Sequence, residues 1–457
     1  MLLKLAFKNF KSWQSAELSF GQITGLFGAN SSGKTSLLQF LLLMKQTKEA
    51  TDRALSLELN GNYVSLGSFK DMIYAHDESK SMVWSLRFRQ QEPLEIFDLA
   101  KNRLSPPLIR SKLVEVRGEI SGVKGAPEAR RLEYRVGSKN SAEGEQTISL
   151  LAKERGDGFN LKSTGNEFKF ARTQGRAWSL PGPVKSYAFP DQARTYHQNA
   201  SFLSSLEAAM EAALDNIYYL GPLREYPQRD YLWARSKPHD VGKKGEKAID
   251  AILAATAAGE KRNLKFKGKL LSFQEIIAHW LAEMGLIKSF AVKEIAAGSN
   301  RWQALVKVRA GGPEALLTDV GFGVSQVLPV ITLLYYVPEN STVLLEQPEI
   351  HLHPLAQAQL ADVIINVAER RNVQVVLESH SEHLLLRLQR RIAEQEIEAD
   401  KVKLYFCKAG GAASEIIDLG LDLFGNIENW PDNFMGNAFG EAAAAEKARL
   451  RRLKAAE

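Results

Sequence analysis

Residues 28–35 read Gly-Ala-Asn-Ser-Ser-Gly-Lys-Thr and match the phosphate-loop (P-loop) pattern G-x-x-x-x-G-K-[ST] at every fixed position. Glycines let the backbone turn until its N–H groups converge on phosphate oxygens, and a helix starting at Lys34 would direct its positive end there. Lys34 would neutralise β- and γ-phosphate charge, and the Thr35 hydroxyl would ligate Mg²⁺. We therefore predict a site for ATP with Mg²⁺, formed by Gly28, Asn30, Ser31, Ser32, Gly33, Lys34, Thr35 and Ser36.

Two later strands end in polar residues that could act beside this loop. Residues 342–349 read Thr-Val-Leu-Leu-Glu-Gln-Pro-Glu, a buried strand that ends in carboxylates, and we assign Glu346 to the Mg²⁺ shell. The alternative is an exposed acidic turn without a role. Residues 375–381 read Val-Val-Leu-Glu-Ser-His-Ser, where His380 could bond a γ-phosphate or position the attacking water. A lone histidine is more often structural, so this assignment depends on its position after a buried strand.

Composition limits the class of protein. The 457 residues carry a formal net charge of +6, with 45% hydrophobic and 25% charged residues, which is typical of a soluble chain of two or three lobes. Cys407 is the single cysteine, so an internal disulfide is excluded and a reducing compartment is favoured. Lysines interrupt the N-terminus, and apolar stretches such as residues 37–44 are far shorter than the ~20 residues of a membrane helix. We expect a cytoplasmic protein with no membrane partner.

Hydrophobic periodicity predicts the elements that must position these residues. Apolar residues alternate over 3–7 and 16–20, which predicts a hairpin before a buried strand at 23–27 and a helix at 34–45. Short alternating stretches between residues 82 and 163 predict an antiparallel β lobe, and the last third alternates strands and helices as in a covered parallel sheet. Further strands are predicted at 217–220, 342–345, 373–377 and 402–406, and helices at 273–284, 324–336, 355–369, 382–395 and 441–457.

These motifs, in this order, resemble the ATP-binding cassette (ABC) ATPases of the SMC and RecF type. The likeness is greatest to the overcoming-lysogenisation-defect (OLD) ATPases and related AAA-type proteins of bacterial anti-phage defence operons. Residues 346–354, Glu-Gln-Pro-Glu-Ile-His-Leu-His-Pro, are similar to the family's Walker B segment, and Ser379-His380-Ser381 resembles its switch histidine. Phe10-Lys11-Ser12 resembles the family's opening, which implies that Lys11 lies near the nucleotide. Gly221-Pro222-Leu223-Arg224 and Trp430-Pro431-Asp432 resemble elements of a subgroup.

The resemblance also implies a signature segment before Walker B. Val320-Gly321-Phe322-Gly323-Val324-Ser325-Gln326 occupies that place, although it departs from the usual L-S-G-G-[QE]. Its glycines and Ser325 would offer phosphate a nest at a helix N-terminus. In the family this nest closes over ATP bound to the opposite subunit. That implies a homodimer or higher homo-oligomer with ATP between its heads, contacted by Gly323, Ser325 and Gln326.

One departure from the family concerns the catalytic base. The family places a glutamate directly after the Walker B acid, whereas this chain has Gln347, an amide that cannot take a proton from water. The chain also has Glu346 where the family has aspartate. Either Glu349 serves as the base, or hydrolysis is slow and ATP acts mainly as a clamp. We predict a weak but measurable ATPase whose catalytic centre contains Glu346, Gln347, Glu349 and His380.

Other chemistries remain as alternatives. Histidines at 351, 353, 380 and 383 could join Glu349 or Glu378 in a metal site, although their spacing is loose and they could simply order turns. A built-in nuclease is disfavoured because the chain has no Asp-x-Asp motif. Double-stranded DNA could contact the basic stretch 243–269 or the tail 449–454, but solvated loops explain these charges equally well. Phe266 is the only aromatic residue of that stretch, which gives base stacking little support.

We therefore expect an α/β fold: an ABC/SMC-type P-loop NTPase head with an inserted antiparallel β lobe and a helical region. Residues 1–90 and 301–457 would form the head, 91–200 the β lobe, and 201–300 a helical, basic insertion. By family analogy, the expected function is an oligomeric ATPase scaffold or sensor in anti-phage defence that controls a separately encoded effector, a nuclease. The alternative is a RecF- or SMC-like ATPase that acts directly on DNA in repair or recombination.

Overall fold

The computed structural model describes residues 1–97, 107, 109–137, 145–153, 157–165, 168–173, 175, 179–265, 267–431 and 445–449. Its strands are β1 (Leu2–Phe10), β2 (Trp13–Ser19), β3 (Ile23–Gly28), β4 (Met82–Ile96), β5 (Ile109–Val123), β6 (Ala126–Gly137), β7 (Glu145–Ala152), β8 (Phe159–Thr164), β9 (Ile217–Leu220), β10 (Tyr231–Leu232), β11 (Lys261–Arg262), β12 (Leu271–Ser272), β13 (Ser289–Glu294), β14 (Arg301–Lys307), β15 (Ala315–Leu316), β16 (Thr342–Glu346), β17 (Gln374–Glu378), β18 (Val402–Ala409) and β19 (Ser414–Leu419). Its helices are α1 (Lys34–Glu49), α2 (Phe69–Met72), α3 (Asp191–Thr195), α4 (Leu203–Asp215), α5 (Ala248–Ala257), α6 (Phe273–Glu283), α7 (Phe322–Tyr336), α8 (Pro354–Arg371) and α9 (Glu382–Ala393).

The central sheet contains the strands that the sequence predicts to be buried. Its order is β19-β18-β3-β17-β16-β9, and all neighbours pair in parallel except β18 and β19. Every residue of β3, β16 and β17 is buried, as expected when both faces of a parallel sheet are covered. Along β16, Val343 and Leu345 join one hydrophobic core while Leu344 joins the other. The sheet therefore separates two cores.

The alternating stretches form a second, antiparallel sheet of order β2-β1-β4-β5-β6-β7-β8. This sheet contains the N-terminal hairpin as well as strands from residues 91–200. Helix α1 packs against it: the rings of Phe7, Phe10, Phe40 and Trp84 lie in contact, with centroids 5.3 to 6.0 Å apart. Residues 37–44 of α1 are apolar except for Gln39, and burial extends beyond them to Lys45, Gln46 and Thr47.

The second core lies on the other face of the central sheet. Helices α5 and α6 pack on α7, and α8 and α9 complete the layer. A small sheet of order β10-β14-β13, with β15 paired to β14, covers this region.

The main elements agree with the sequence predictions. Strands β9, β16, β17 and β18 and helices α1, α6, α7, α8 and α9 are present where expected, with ends shifted by a few residues. Residues 445–449 of the predicted tail helix are helical, while the rest of that helix, Phe266 and Asp432 lie outside the described residues. The α/β head with an antiparallel sheet and a helical region confirms the predicted fold class.

Across the described ranges, no helix combines the length and apolar character needed to cross a bilayer.

Arg371, at the end of α8, holds the end of α7. Its side chain is buried, and its guanidinium donates to the carbonyl oxygens of Leu334 at 2.8 Å and Val337 at 2.5 Å. These carbonyls belong to the last turn of α7, where no amide of the helix remains to bond them. The arginine therefore joins the C-terminal ends of two core helices.

We expect Arg371→Gln to lower the free energy of unfolding by about 2–4 kcal/mol, because it removes charged donors from buried carbonyls. The adjacent Arg370 is exposed, so Arg370→Gln should change that free energy by less than about 0.5 kcal/mol. Urea unfolding followed by circular dichroism would measure both variants. Equal stabilities would contradict the capping role of Arg371.

Candidate functional site

The P-loop connects β3 to α1 at the carboxyl edge of the central sheet. Gly28 has φ 141°, and a Cβ there would lie 2.1 Å from the carbonyl oxygen of Cys407 on the next strand, so only glycine fits. Gly33 has φ 92° and is enclosed by Ser12, Trp13 and Ser414, with the Trp13 indole donating to its carbonyl at 3.1 Å. The turn that the P-loop pattern requires is therefore fixed by neighbouring strands.

Lys34 is folded back over this loop. Its ammonium donates to the carbonyl oxygens of Gly28 at 3.1 Å and Ala29 at 2.7 Å, and to the Ser32 hydroxyl at 3.4 Å. Burial lowers the pKa of Lys34, and nearby Glu378 opposes that change. Of the other predicted P-loop contacts, Asn30 and Ser31 lie on the turn and are exposed, and Ser36 lies in the first turn of α1.

Thr35, the predicted Mg²⁺ ligand, is hydrogen-bonded to a carboxylate at the end of a neighbouring strand. Its hydroxyl donates to Oε2 of Glu378 at 2.8 Å, and Lys34 Nζ lies 3.9 Å from Oε1 of the same side chain. Glu378 is the last residue of β17, which lies between β3 and β16. Burial raises the pKa of Glu378, while Thr35 and Lys34 act in the opposite direction.

Glu346, the carboxylate predicted for the Mg²⁺ shell, ends β16 and is held from the side of β9. Oε1 of Glu346 accepts from the Tyr219 hydroxyl at 2.9 Å, and Arg224 donates to the backbone carbonyl of Glu346 at 3.3 Å. Burial raises the pKa of Glu346 to about 7, although the Tyr219 hydrogen bond opposes the shift. Oxygen donors of Thr35, Glu346 and Glu378 at one sheet edge fit Mg²⁺, which binds through one or two carboxylates plus phosphates.

Gln347 and Glu349 follow on the turn after β16. Gln347 has the left-handed φ of 43°, and its backbone N–H donates to the carbonyl of Glu378 at 2.9 Å. Glu349 is 6% exposed, and its Oε1 accepts from the Ser379 hydroxyl at 2.7 Å and the His380 amide at 2.8 Å. Burial raises the pKa of Glu349, and these hydrogen bonds oppose it. Glu349 thus connects the turn after β16 to the residues that follow β17.

The His380 ring lies beside the loop. Desolvation lowers its pKa, and the charge of Lys34 lowers it further, while a hydrogen bond with the Gly28 backbone acts in the opposite direction. The imidazole is therefore largely neutral at neutral pH, which leaves it able to accept as well as donate a hydrogen bond.

Lys11 lies on the β1–β2 turn, next to α1. Its ammonium donates to Oε1 of Gln39 at 3.1 Å, one turn of helix beyond Thr35. Its neighbour Ser12 contacts Gly33, so the opening motif packs against the P-loop.

The predicted signature residues lie elsewhere. The Ser325 hydroxyl donates to the Phe322 carbonyl at 2.8 Å, Gln326 is 3% exposed, and a Cβ on Gly323 would lie 3.2 Å from the His351 carbonyl oxygen. Among the described residues, no hydrogen bond joins Gly323, Ser325 or Gln326 to residues 28–36. Within the described residues, the predicted signature segment therefore makes no hydrogen bond to the P-loop of the same chain.

The alternative metal site finds no support. No group of three or more His, Cys, Asp or Glu residues is placed to hold a metal ion in the part of the chain that the structure describes. His353 instead caps α8 by accepting from the Leu355 amide at 3.4 Å, and His351 lies against the Phe322 ring, 5.0 Å between centroids.

Some side chains of the basic stretch 243–269 contact the rest of the protein and others are exposed. Arg262 donates to the Tyr335 carbonyl and pairs with Glu260, and Lys243 donates to the Asn62 carbonyl. The side chains of lysines 244, 247, 261, 265, 267 and 269 are exposed.

Sequence analysis did not identify the partners of the two carboxylates. Tyr219 precedes the subgroup motif that contains Arg224, and Glu378 precedes the switch histidine, so each was adjacent to a recognised signal. Only the lateral order of the strands shows that Tyr219 meets Glu346 and that Thr35 meets Glu378.

A family model described as an AAA domain, putative AbiEii toxin, Type IV TA system, matches residues 23–387. This range contains the P-loop, the signature segment, Walker B and the switch histidine. The chain belongs to this AAA family. A second model, for a family described as a protein of unknown function (DUF3696), matches residues 397–444 of this AAA-family protein. No curated protein matches the chain.

Solved structures similar to this AAA-family protein include heads of SMC proteins. The SMC head domain from Thermotoga maritima is 11% identical, with 92% of this chain and 99% of that chain covered and a TM-score of 0.42. An Smc head domain with an extended coiled coil, bound to the C-terminal domain of ScpA and derived from Pyrococcus furiosus, is 12% identical, with 92% and 96% covered and a TM-score of 0.42.

The pH dependence of folding tests the environment of Glu346. Its pKa of about 7 in the folded protein exceeds its ordinary value of 4.5, so the folded state binds this proton more tightly than the unfolded chain. The stabilisation of the folded state by this proton is complete below the pKa of the unfolded chain. It is lost as the pH rises through the pKa of Glu346 in the folded protein. In EDTA, we expect Glu346→Gln to reduce the fall in unfolding free energy across this window by up to about 1 kcal/mol per pH unit.

Urea unfolding at several pH values would measure this slope, with the exposed Glu396→Gln as control. The control should keep the wild-type slope. Buried Glu349 and Glu378 should leave a residual slope in Glu346→Gln. Identical slopes for Glu346→Gln and the wild type would show that Glu346 titrates normally.

Proposed function

We propose that this protein binds ATP with Mg²⁺ at the P-loop, hydrolyses it slowly, and uses it to hold two copies together. The assembled state would act as a scaffold or sensor that controls a separately encoded effector in anti-phage defence. Gly28, Lys34 and Thr35 would bind the phosphates and the metal, which supplies charge neutralisation when bound. His380 would contact the γ-phosphate from the adjacent strand.

The environment of the candidate base carries the proposal of slow hydrolysis. Directly after Glu346 the chain has Gln347, whose amide cannot accept a proton from water. The next carboxylate along the chain after Gln347 is Glu349, whose Oε1 already accepts from the Ser379 hydroxyl and from the His380 amide. These hydrogen bonds fix the orientation of the carboxylate through Oε1, so Glu349 would not be free to move to an attacking water and bound ATP would persist.

The surface around the signature segment supports association of two copies. Helix α7 begins there after Gly321, and its free amides form an N-terminal nest. Exposed apolar side chains surround it: Tyr226 is 74% and Phe322 39% exposed, with ring centroids 5.6 Å apart. Leu223 is 75% exposed on the same loop as Tyr226. A second copy that brings its P-loop to this nest would also cover these side chains.

The family description supports the proposed role in defence. This description names a putative toxin of a Type IV toxin–antitoxin system. The resemblance to ATPases of defence operons supports the same role. The effector would be supplied by another gene, because this chain carries no Asp-x-Asp nuclease motif. Adding the product of the neighbouring gene to the ATP-bound protein would test this step.

Direct action on DNA is the second candidate. The hairpin β11–β12 exposes Lys265, Lys267 and Lys269 in its loop, as expected for contacts with phosphates. Binding to duplex DNA that weakens steeply with salt would favour it, whereas binding that is absent or independent of salt would exclude it.

Gln347→Glu would restore a carboxylate at the usual base position. We expect turnover of ATP to rise by about tenfold or more, because general bases contribute this much or more to proton transfer. Glu349→Gln should lower turnover, while the exposed Glu396→Gln should leave it unchanged. Phosphate release at saturating ATP would measure all three. Unchanged turnover in Gln347→Glu would show that position 347 does not limit hydrolysis, and unchanged turnover in Glu349→Gln would remove Glu349 as the base.

Light scattering after size exclusion would test ATP-dependent association. We expect the mass of the wild type to double or increase further with ATP and Mg²⁺, and not with ADP. Lys34→Ala should stay in its nucleotide-free state at all ATP concentrations, because it lacks the cation that neutralises the phosphates. A wild-type mass that ignores saturating ATP would contradict the clamp.

A further inference from the structure

Glu378 interacts with two side chains at the end of the P-loop, Lys34 and Thr35. Its Oε2 accepts from Thr35 Oγ1 at 2.8 Å, and its Oε1 lies 3.9 Å from Lys34 Nζ. The side chains of Lys34 and Glu378 are 2% and 4% exposed. Solvent therefore screens the attraction between these charges less than it screens a surface pair.

Strand order explains why Glu378 rather than Glu346 meets Thr35. β17 pairs directly with β3, with Glu378 opposite Leu26, whereas β16 is one strand further away. The Glu346 carboxylate instead accepts from Tyr219 on β9. Within the described residues, no hydrogen bond joins Glu346 to Thr35.

We propose that Glu378 is the carboxylate that positions Thr35 for the Mg²⁺ of bound ATP, and that without nucleotide it holds Lys34 and Thr35 in place. This inference rests on the proposed ATP-binding function. A hydroxyl that donates its proton to Glu378 has its oxygen lone pairs left for a cation, which is the orientation a metal ligand needs. The carboxylate also adds the negative charge that a hard divalent cation favours.

The same charge gives Glu378 an opposite effect when Mg²⁺ is absent. It would then repel the phosphates and compete with them for Lys34, which is already held by Gly28, Ala29 and Glu378. Nucleotide without Mg²⁺ must draw Lys34 away from these contacts and leave the Glu378 carboxylate without its cation. When Mg²⁺ accompanies the nucleotide, the metal supplies the positive charge beside Glu378 that Lys34 supplied before. Glu378 thus makes ATP affinity depend on the metal.

Calorimetric titration with adenylyl imidodiphosphate, a non-hydrolysable ATP analogue, tests this in Mg²⁺ and in EDTA. We expect Glu378→Gln to reduce the gain in affinity caused by Mg²⁺ by about tenfold or more. In EDTA the same variant should bind the analogue at least about threefold more tightly than the wild type. Glu346→Gln should lose less of the Mg²⁺ effect, and the exposed Glu396→Gln should lose none.

Thr35→Val, which keeps the shape and removes the hydroxyl, completes a double-mutant cycle. If Glu378 acts through Thr35, the double variant should show little more loss than either single variant. Should Glu378→Gln lack a cooperative thermal transition, Glu378→Asp, which keeps the charge but shortens the reach to Thr35, and Thr35→Val would test the Mg²⁺ effect in its place. Additive losses, or an unchanged Mg²⁺ effect in Glu378→Gln, would overturn the inference. A wild type that fails to bind the analogue would instead overturn the proposed function.

Discussion

The carboxyl edge of the central sheet is the constraint on which the rest of the structure depends. β3, β9, β16 and β17 run in parallel, so their last residues emerge side by side although they lie far apart in the sequence. The ladder of backbone hydrogen bonds leaves each terminal side chain little choice of direction. Glu346 therefore meets Tyr219 from the neighbouring β9, and Glu378 meets Thr35 just beyond the neighbouring β3.

Burial at this edge determines the electrostatics. Glu346, Glu349 and Glu378 are nearly inaccessible to solvent, and burial raises the pKa of each. The two cations among them, Lys34 and Arg224, are buried too, and burial lowers their pKa. Charges in such a place are costly unless they are paired, so any anion that enters must be balanced within the site. The edge is therefore suited to a phosphate chain that arrives with its own cation.

The sequence predicts much of this architecture, but only part of the site. The leucine-rich stretch of α1, which has no glycine or proline, indicates a helix, and the P-loop pattern locates Lys34 and Thr35 without a structure. The order of the strands across the sheet cannot be predicted in this way, because no local pattern in residues 374–378 indicates that β17 lies between β3 and β16. For the same reason the pairing of the N-terminal hairpin with β4 is not readable from alternation, which indicates strands but not partners.

The P-loop helix is also held at both ends by the antiparallel side of the molecule. At its start, the Trp13 indole donates to Gly33, and Ser12 and Ser414 enclose the same glycine. At its end, the Lys185 ammonium donates to the carbonyls of Lys48 and Ala50, at 2.7 and 2.6 Å. Between them, the aromatic rings of the sheet pack on Phe40. Because α1 is packed in this way, we expect a shift of the loop on nucleotide binding to disturb its contacts with the antiparallel sheet.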